Sequence, residues 1–122
     1  MRRMGLSVLG MSSLLCACDP AYGPRLINSY GTAVAVTVTY SNGEMTTTIW
    51  PACLNPFIGK PGVQVNKVSF EKDGKVLREF DADEIHRMLQ KENATPGYFA
   101  WNIGPADPSL LDETKMPCAL DR

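Results

Sequence analysis

The sequence holds a single histidine among 122 residues. Any Ser–His–Asp or Cys–His catalytic arrangement would therefore have to be built on His86. The CxxC and HxxxH spacings that gather metal ligands are missing, as are a glycine-rich phosphate cradle and an internal repeat. Basic and acidic residues nearly balance, for a formal net charge of −1, so there is no basic stripe to attract nucleic acid. A long hydrophobic run is missing too. Gly5 to Leu15 would span about 17–20 Å as a helix, against roughly 30 Å of hydrocarbon in a bilayer. That is too short for a stable membrane-crossing anchor.

What the first residues do contain is an ordered set of signals. Arg2 and Arg3 form a basic start, Gly5 to Leu15 an apolar run, and small residues follow, the layout of a cleaved leader. Leu15-Cys16-Ala17-Cys18 resembles the lipobox of bacterial lipoproteins, with Leu three positions before the cysteine and a small residue just ahead of it. Cys16 fits less well, because bulky Leu15 would take the small-residue position. The resemblance implies removal of residues 1–17 and acylation of Cys18, which becomes the mature N-terminus. Three acyl chains, at about 0.8 kcal/mol per buried CH₂, would hold the chain firmly at a bilayer. The alternative is an ordinary secretory peptide cut near Ala17, with Cys18 in a disulfide. In enterobacterial lipoproteins an aspartate after the lipidated cysteine is similar to a signal for inner-membrane retention, and Asp19 stands there. The resemblance covers about the first twenty residues and leaves the rest of the chain unassigned.

Cleavage at Cys18 would leave ten basic against thirteen acidic residues, in about 105 residues, enough for one compact domain. Residues 18–24 read as a lipid-anchored Pro/Gly tether and 25–122 as a single β-rich domain. With Cys18 lipidated, Cys53 and Cys118 remain as an even pair in an oxidising compartment, which favours a disulfide. Closing that loop would stabilise the fold by roughly 4 kcal/mol in the chain-entropy model. A metal site using both cysteines and His86 has no supporting spacing.

Within the domain, Ala33 to Trp50 is the clearest element. Val34, Val36 and Val38 alternate with Ala35, Thr37 and Thr39, and Asn42-Gly43 supplies the strongest short hairpin signal. A two-residue loop sets Tyr40 opposite Met45, Val38 opposite Thr47 and Val36 opposite Ile49. Val34, Val36, Val38, Tyr40, Met45 and Ile49 then form a core face, and Thr37, Thr39, Glu44, Thr46, Thr48 and Trp50 a solvated one. Such a hairpin needs further strands or a helix on its apolar side. Leu26-Ile27 suggests an earlier strand. Val63 to Phe70 suggests a later one with a bulge near Asn66-Lys67, where the parity of apolar residues switches. Asp73-Gly74 repeats the hairpin signal and pairs Phe70 with Leu77. Asp81 and Glu84 have capping-box spacing, Phe80 and Ile85 that of a hydrophobic staple, and Ile85, Met88 and Leu89 an apolar stripe. They predict one short helix at about 82–92. Phe99, Trp101 and Ile103 alternate as in a strand, and from Gly104 the chain looks irregular. The fold class is mainly β with some α, a small antiparallel sandwich or sheet of hairpins.

The chemistry these residues offer is sparse. His86 follows Ile85 off the apolar stripe, and helix capping already explains Asp81, Asp83 and Glu84. Asn93-Ala94-Thr95 matches a glycosylation sequon that a bacterial protein would not use. The expectation is a non-catalytic envelope lipoprotein without metal or cofactor, facing the periplasm from a membrane. It would act as a protein-interaction or structural module with an envelope protein as partner. The alternative is a periplasmic lipoprotein that binds a ligand or inhibits. Trp50, Phe57 and Ile58 are the expected partner contacts. Phe57 and Ile58 lie in the Pro/Gly-rich loop 51–62 and are unusually apolar for it; the competing reading folds all three onto the core.

Overall fold

The computed structural model describes residues 21–54 and 56–112. The element order is β1 (Ala21–Tyr22), β2 (Leu26–Asn28), β3 (Val34–Tyr40), β4 (Met45–Trp50), β5 (Lys60–Pro61), β6 (Val65–Lys72), β7 (Lys75–Phe80), α1 (Ala82–Ala94), β8 (Phe99–Ile103) and β9 (Ser109–Asp112). The protein is mostly β with a short helix, as its patterning predicts. A four-stranded antiparallel sheet runs β4-β3-β6-β7, a three-stranded sheet runs β2-β8-β9, and β1 pairs with β5. β2 lies parallel to β8, so the sheets are not antiparallel throughout.

One core joins the sheets and the helix. Val34, Val36, Val38, Tyr40, Trp50, Val65, Val68, Phe70 and Phe80 line one face of the four-stranded sheet. Leu26, Trp101 and Ile103 from the smaller sheet, with Ile85 and Met88 from α1, complete the same cluster. Phe70 is its aromatic centre, edge-on to Trp50 at 5.5 Å and to Phe80 at 6.4 Å between ring centroids, in the preferred T-shaped arrangement.

The first hairpin forms where expected but with a different turn. Tyr40 N–H donates to Glu44 O at 2.8 Å and Gly43 N–H to Tyr40 O at 2.9 Å. Gly43 has φ +92°, whereas Asn42 is not in the positive region. This is a three-residue loop, a type I turn closed by a left-handed glycine. Asn42 keeps its ordinary backbone because its side chain is already used: Oδ1 accepts from Glu44 N–H at 3.0 Å and Nδ2 donates to Glu44 Oε1 at 2.9 Å. The extra loop residue moves β4 by one position, giving Val34↔Trp50, Val36↔Thr48 and Val38↔Thr46. A one-residue shift turns a strand over, so the expected faces of β4 are corrected. Trp50 is core at 2% exposure, while Met45 and Ile49 stand at 64% on the outer face. The valines stay inside, because only the edge strand moves.

Other expectations match more closely. The bulge falls between Thr39/Tyr40 and Val65/Lys67, leaving Asn66 and Lys67 exposed between buried Val65 and Val68. Asp73 and Gly74 both take positive φ, a two-residue type I′ turn. A second bulge next to it sets Phe70 opposite Arg78 and not Leu77. The helix carries its capping box, with Glu84 N–H donating to Asp81 Oδ1 at 2.8 Å and Asp81 N–H to Glu84 Oε1 at 3.0 Å. Residues after Gly104 are not wholly irregular, since β9 pairs Leu111 with Ala100 and Leu110 with Trp101. In β8 Ala100 is buried together with Trp101 and Ile103, against its expected outward position. A strand in the middle of a sheet has less solvent on either face. Part of the stretch read as a tether belongs to the fold, since β1 pairs with β5 and Gly23 and Pro24 are buried.

Trp50→Ala is expected to cost about 3–5 kcal/mol of stability, the range for removing a core aromatic. Ile49→Thr, one residue earlier, should stay within about 0.5 kcal/mol. Paired thermal and urea melts check this; equal losses would contradict the observed register.

Candidate functional site

Three surfaces merit weighing, and the first is the exposed side of the four-stranded sheet. Opposite the core face stand Thr37, Thr39, Met45, Thr47, Ile49, Lys67, Ser69, Glu71, Val76 and Glu79. Ile49, Ala35, Glu71 and Val76 form one row straight across the sheet. Polar pairs hold this face in place. The Thr37 and Thr47 hydroxyls meet at 2.9 Å, Ser69 Oγ donates to Glu79 Oε2 at 2.8 Å, and Lys67 Nζ reaches the same carboxylate at 3.4 Å. The Ser69 hydrogen bond is the main reason the Glu79 carboxyl sits below its usual range; burial opposes it and Lys67 assists. Glu44 is lowered likewise, first by Asn42 and then by the charge of Lys60.

The second surface is the loop after β4. Pro51 O accepts from Leu54 N–H at 3.1 Å, and Cys53 takes φ +71° at the third position of that turn. A left-handed conformation costs a residue with a Cβ roughly 1–2 kcal/mol, and the surroundings hold it there. Cys53 N–H donates to Asn28 O at 2.8 Å, and Asn28 N–H to Leu54 O at 3.1 Å. Further along, Tyr40 Oη donates to Ile58 O at 2.6 Å in a buried bond that pins the loop to the hairpin. Gly23 approaches so closely that a Cβ there would lie 3.0 Å from Gly59 N. Of the three expected partner contacts, only Phe57 is exposed, at 63%; Trp50 and Ile58 are core. Leu54, which the sequence reading did not single out, is exposed beside them. Cys18 and Cys118 lie outside the described residues.

The third surface is a groove of about 230 Å³ between α1 and the segment leading into β6. Its floor is Val65, Ile85 and Leu89, and its rim includes Gln64, Asn66, His86, Gln90 and Asn93. His86, the one histidine of the chain, is exposed there. Among the described residues no group of three or more His, Cys, Asp or Glu side chains is placed to hold a metal ion.

No family model, curated protein or solved structure matches the chain.

Glu79 contributes stability at pH values above the ordinary carboxylate range, because its folded pKa is lowered. That contribution is lost as pH falls through the lowered value. Ser69→Ala should raise the Glu79 midpoint toward the ordinary carboxylate value in an NMR titration of the side-chain carboxyl. An unchanged midpoint would show that Lys67, and not Ser69, controls it.

Proposed function

We propose that the chain is a bacterial envelope lipoprotein, anchored through acylated Cys18, that works by protein contact and not by catalysis. The observation that carries this reading is where the exposed apolar side chains lie. Met45 and Ile49 on β4 and Leu54 and Phe57 on the loop that follows are all exposed, on neighbouring stretches of chain. Aromatic residues and methionine are enriched at protein interfaces relative to the rest of the surface, and Phe57 and Met45 are of those types.

The short sequence separation between Cys18 and the first described strand suits an anchored protein. Strand β1 opens at Ala21, so the chain from Cys18 to the first strand reaches about 10 Å at full extension. A domain so tethered works close to the bilayer, with lateral partners in easy reach. Among the described residues no helix is long and apolar enough to cross a membrane. The proposed disulfide partner of Cys53 is Cys118. That bond would fasten the C-terminal segment to the exposed loop.

The ligand-binding alternative has the α1 groove in its favour. At about 230 Å³ it falls below the roughly 300–1,000 Å³ of ordinary small-molecule sites, which places it second.

Mass spectrometry of the protein extracted from its native membrane should show loss of residues 1–17 and added lipid mass on Cys18. An unmodified Cys18 would overturn the anchor. A photo-crosslinking residue at Phe57 should capture a protein neighbour, whereas one at Gln90, on the groove, should not. Capture from Gln90 alone would favour the ligand-binding reading.

A further inference from the structure

We propose that β4 is a self-pairing edge, through which two copies of this chain join their four-stranded sheets into one across a two-fold axis at Thr47. This goes beyond the anchoring and contact reading above, and it stands whether or not Cys18 carries lipid.

Successive main-chain groups of β4 point alternately toward β3 and away from it. The Tyr40–Glu44 pair is hydrogen-bonded, and bonded and non-bonded pairs alternate along an antiparallel ladder. Trp50, Thr48 and Thr46 therefore exchange bonds with Val34, Val36 and Val38. Met45, Thr47 and Ile49 sit in the non-bonded pairs with Thr39, Thr37 and Ala35. The closeness of the Thr37 and Thr47 hydroxyls, at 2.9 Å, agrees with this, because side chains approach most closely in such pairs. The N–H and C=O groups of Met45, Thr47 and Ile49 consequently point out of the sheet. Among the described residues β4 is the last strand on its side, and Met45 to Ile49 are all exposed.

An open edge is ordinarily guarded by charge, proline, a bulge or shortness. The opposite edge of the same sheet has such guards: β7 carries Lys75, Arg78 and Glu79 and a bulge in its pairing. On β2, the pairing of Asn28 with Cys53 and Leu54 covers the end of the strand. Met45–Trp50 reads MTTTIW and has none of them. It is uncharged, free of proline and glycine, and its ladder with β3 is regular throughout.

The pattern of that strand also selects the occupant. Met45 and Ile49 lie symmetrically about Thr47, two residues to either side. An antiparallel two-fold pairing centred on Thr47 sets Met45 against Ile49 of the second copy, Ile49 against its Met45, and Thr47 against itself. Both of the most exposed apolar residues of the strand, each at 64%, are then covered by each other on the outer face. About six main-chain hydrogen bonds close, two for each bonded pair. No like charges meet within the strand. A strand of unrelated sequence would have the hydrogen bonds but not this matched cover.

Edge pairing of this length buries less than the roughly 1,200–2,000 Å² of a standard interface. The dimer is therefore weak in dilute solution and is best read at high protein concentration or by covalent trapping. The test uses the full chain in detergent micelles. Thr47→Cys places two thiols across the axis, with Cα atoms about 5.5 Å apart, inside the span of a disulfide. After mild oxidation a non-reducing gel should show at least about tenfold more dimer than Val76→Cys, an exposed site on the guarded edge, each read above the wild-type background. Sedimentation at high concentration should give a dimer for the wild type. It should give a monomer for Thr47→Pro, which removes an outward N–H and leaves the bonds to β3 in place. The Met45→Lys/Ile49→Lys variant should be monomeric as well, with an unchanged melting temperature, which separates lost pairing from lost folding. Equal trapping at Val76→Cys overturns the proposal, as does a wild type that stays monomeric or a dimer indifferent to both the proline and the lysines. Trapping of a different protein at Thr47→Cys without dimer also overturns it, and leaves the contact reading of the preceding subsection standing.

Discussion

The side chain of Asn28 is the interaction on which the arrangement of the two sheets depends. It is fully buried at the end of β2. Its amide nitrogen has two hydrogens and is shared among three carbonyls, Thr32 O at 2.9 Å, Trp50 O at 3.0 Å and Pro51 O at 3.2 Å. Its oxygen accepts from Tyr30 N–H at 3.0 Å, and its own peptide groups bond to Cys53 and Leu54. One residue thus satisfies the main chain where β2 leaves its sheet, where β3 is about to begin and where β4 ends. A buried amide this fully engaged is specific, because no other side chain offers donors and an acceptor in that geometry. It also explains why the loop after β4 leaves the sheet where it does, which is what exposes Leu54 and Phe57.

Much of the fold was legible because local chemistry and tertiary packing agree. The valine alternation of β3, the Asp81/Glu84 capping box, the Asp73-Gly74 turn and the parity switch at Asn66-Lys67 all mark features that the structure contains. What misled is instructive in physical terms. Asn42-Gly43 is compatible with a two-residue and a three-residue turn, and the difference turns on whether the asparagine side chain bonds Glu44. That one bond decides which face of β4 is buried. Period-2 patterning cannot detect it, because Met45, Ile49 and Trp50 are all apolar and each register buries something. β2 and β9 are short and patterned weakly, since pairing with the buried strand β8 defines them and not alternation of their own.

The candidate surface was less legible for the same reason. Trp50 and Ile58 looked like partner contacts because a loop rich in proline and glycine ought to be solvated. Phe70 meets the first edge-on, and Tyr40 bonds the carbonyl of the second. Both are long-range contacts without a local signature. Met45 and Ile49, which also face solvent, were hidden because a two-residue loop sets them on the core face. Reading the turn as a three-residue loop would have found them.

The parallel pairing of β2 with β8 carries a consequence for the order in which the chain can fold. Leu26, Ile27 and Asn28 find their partners in Trp101, Asn102 and Ile103, and Arg25 N–H finds Glu92. Contacts so far apart in sequence close late, because the loop entropy must be met before they are made. The β3–β4 and β6–β7 hairpins are local and can form early. A chain delivered N-terminus first must therefore hold β2 in waiting until β8, 75 residues further on, has arrived. Throughout that interval Asn28 and the apolar Leu26-Ile27 have no shelter, and the protein is most exposed to misassembly or to a helper that binds extended apolar segments.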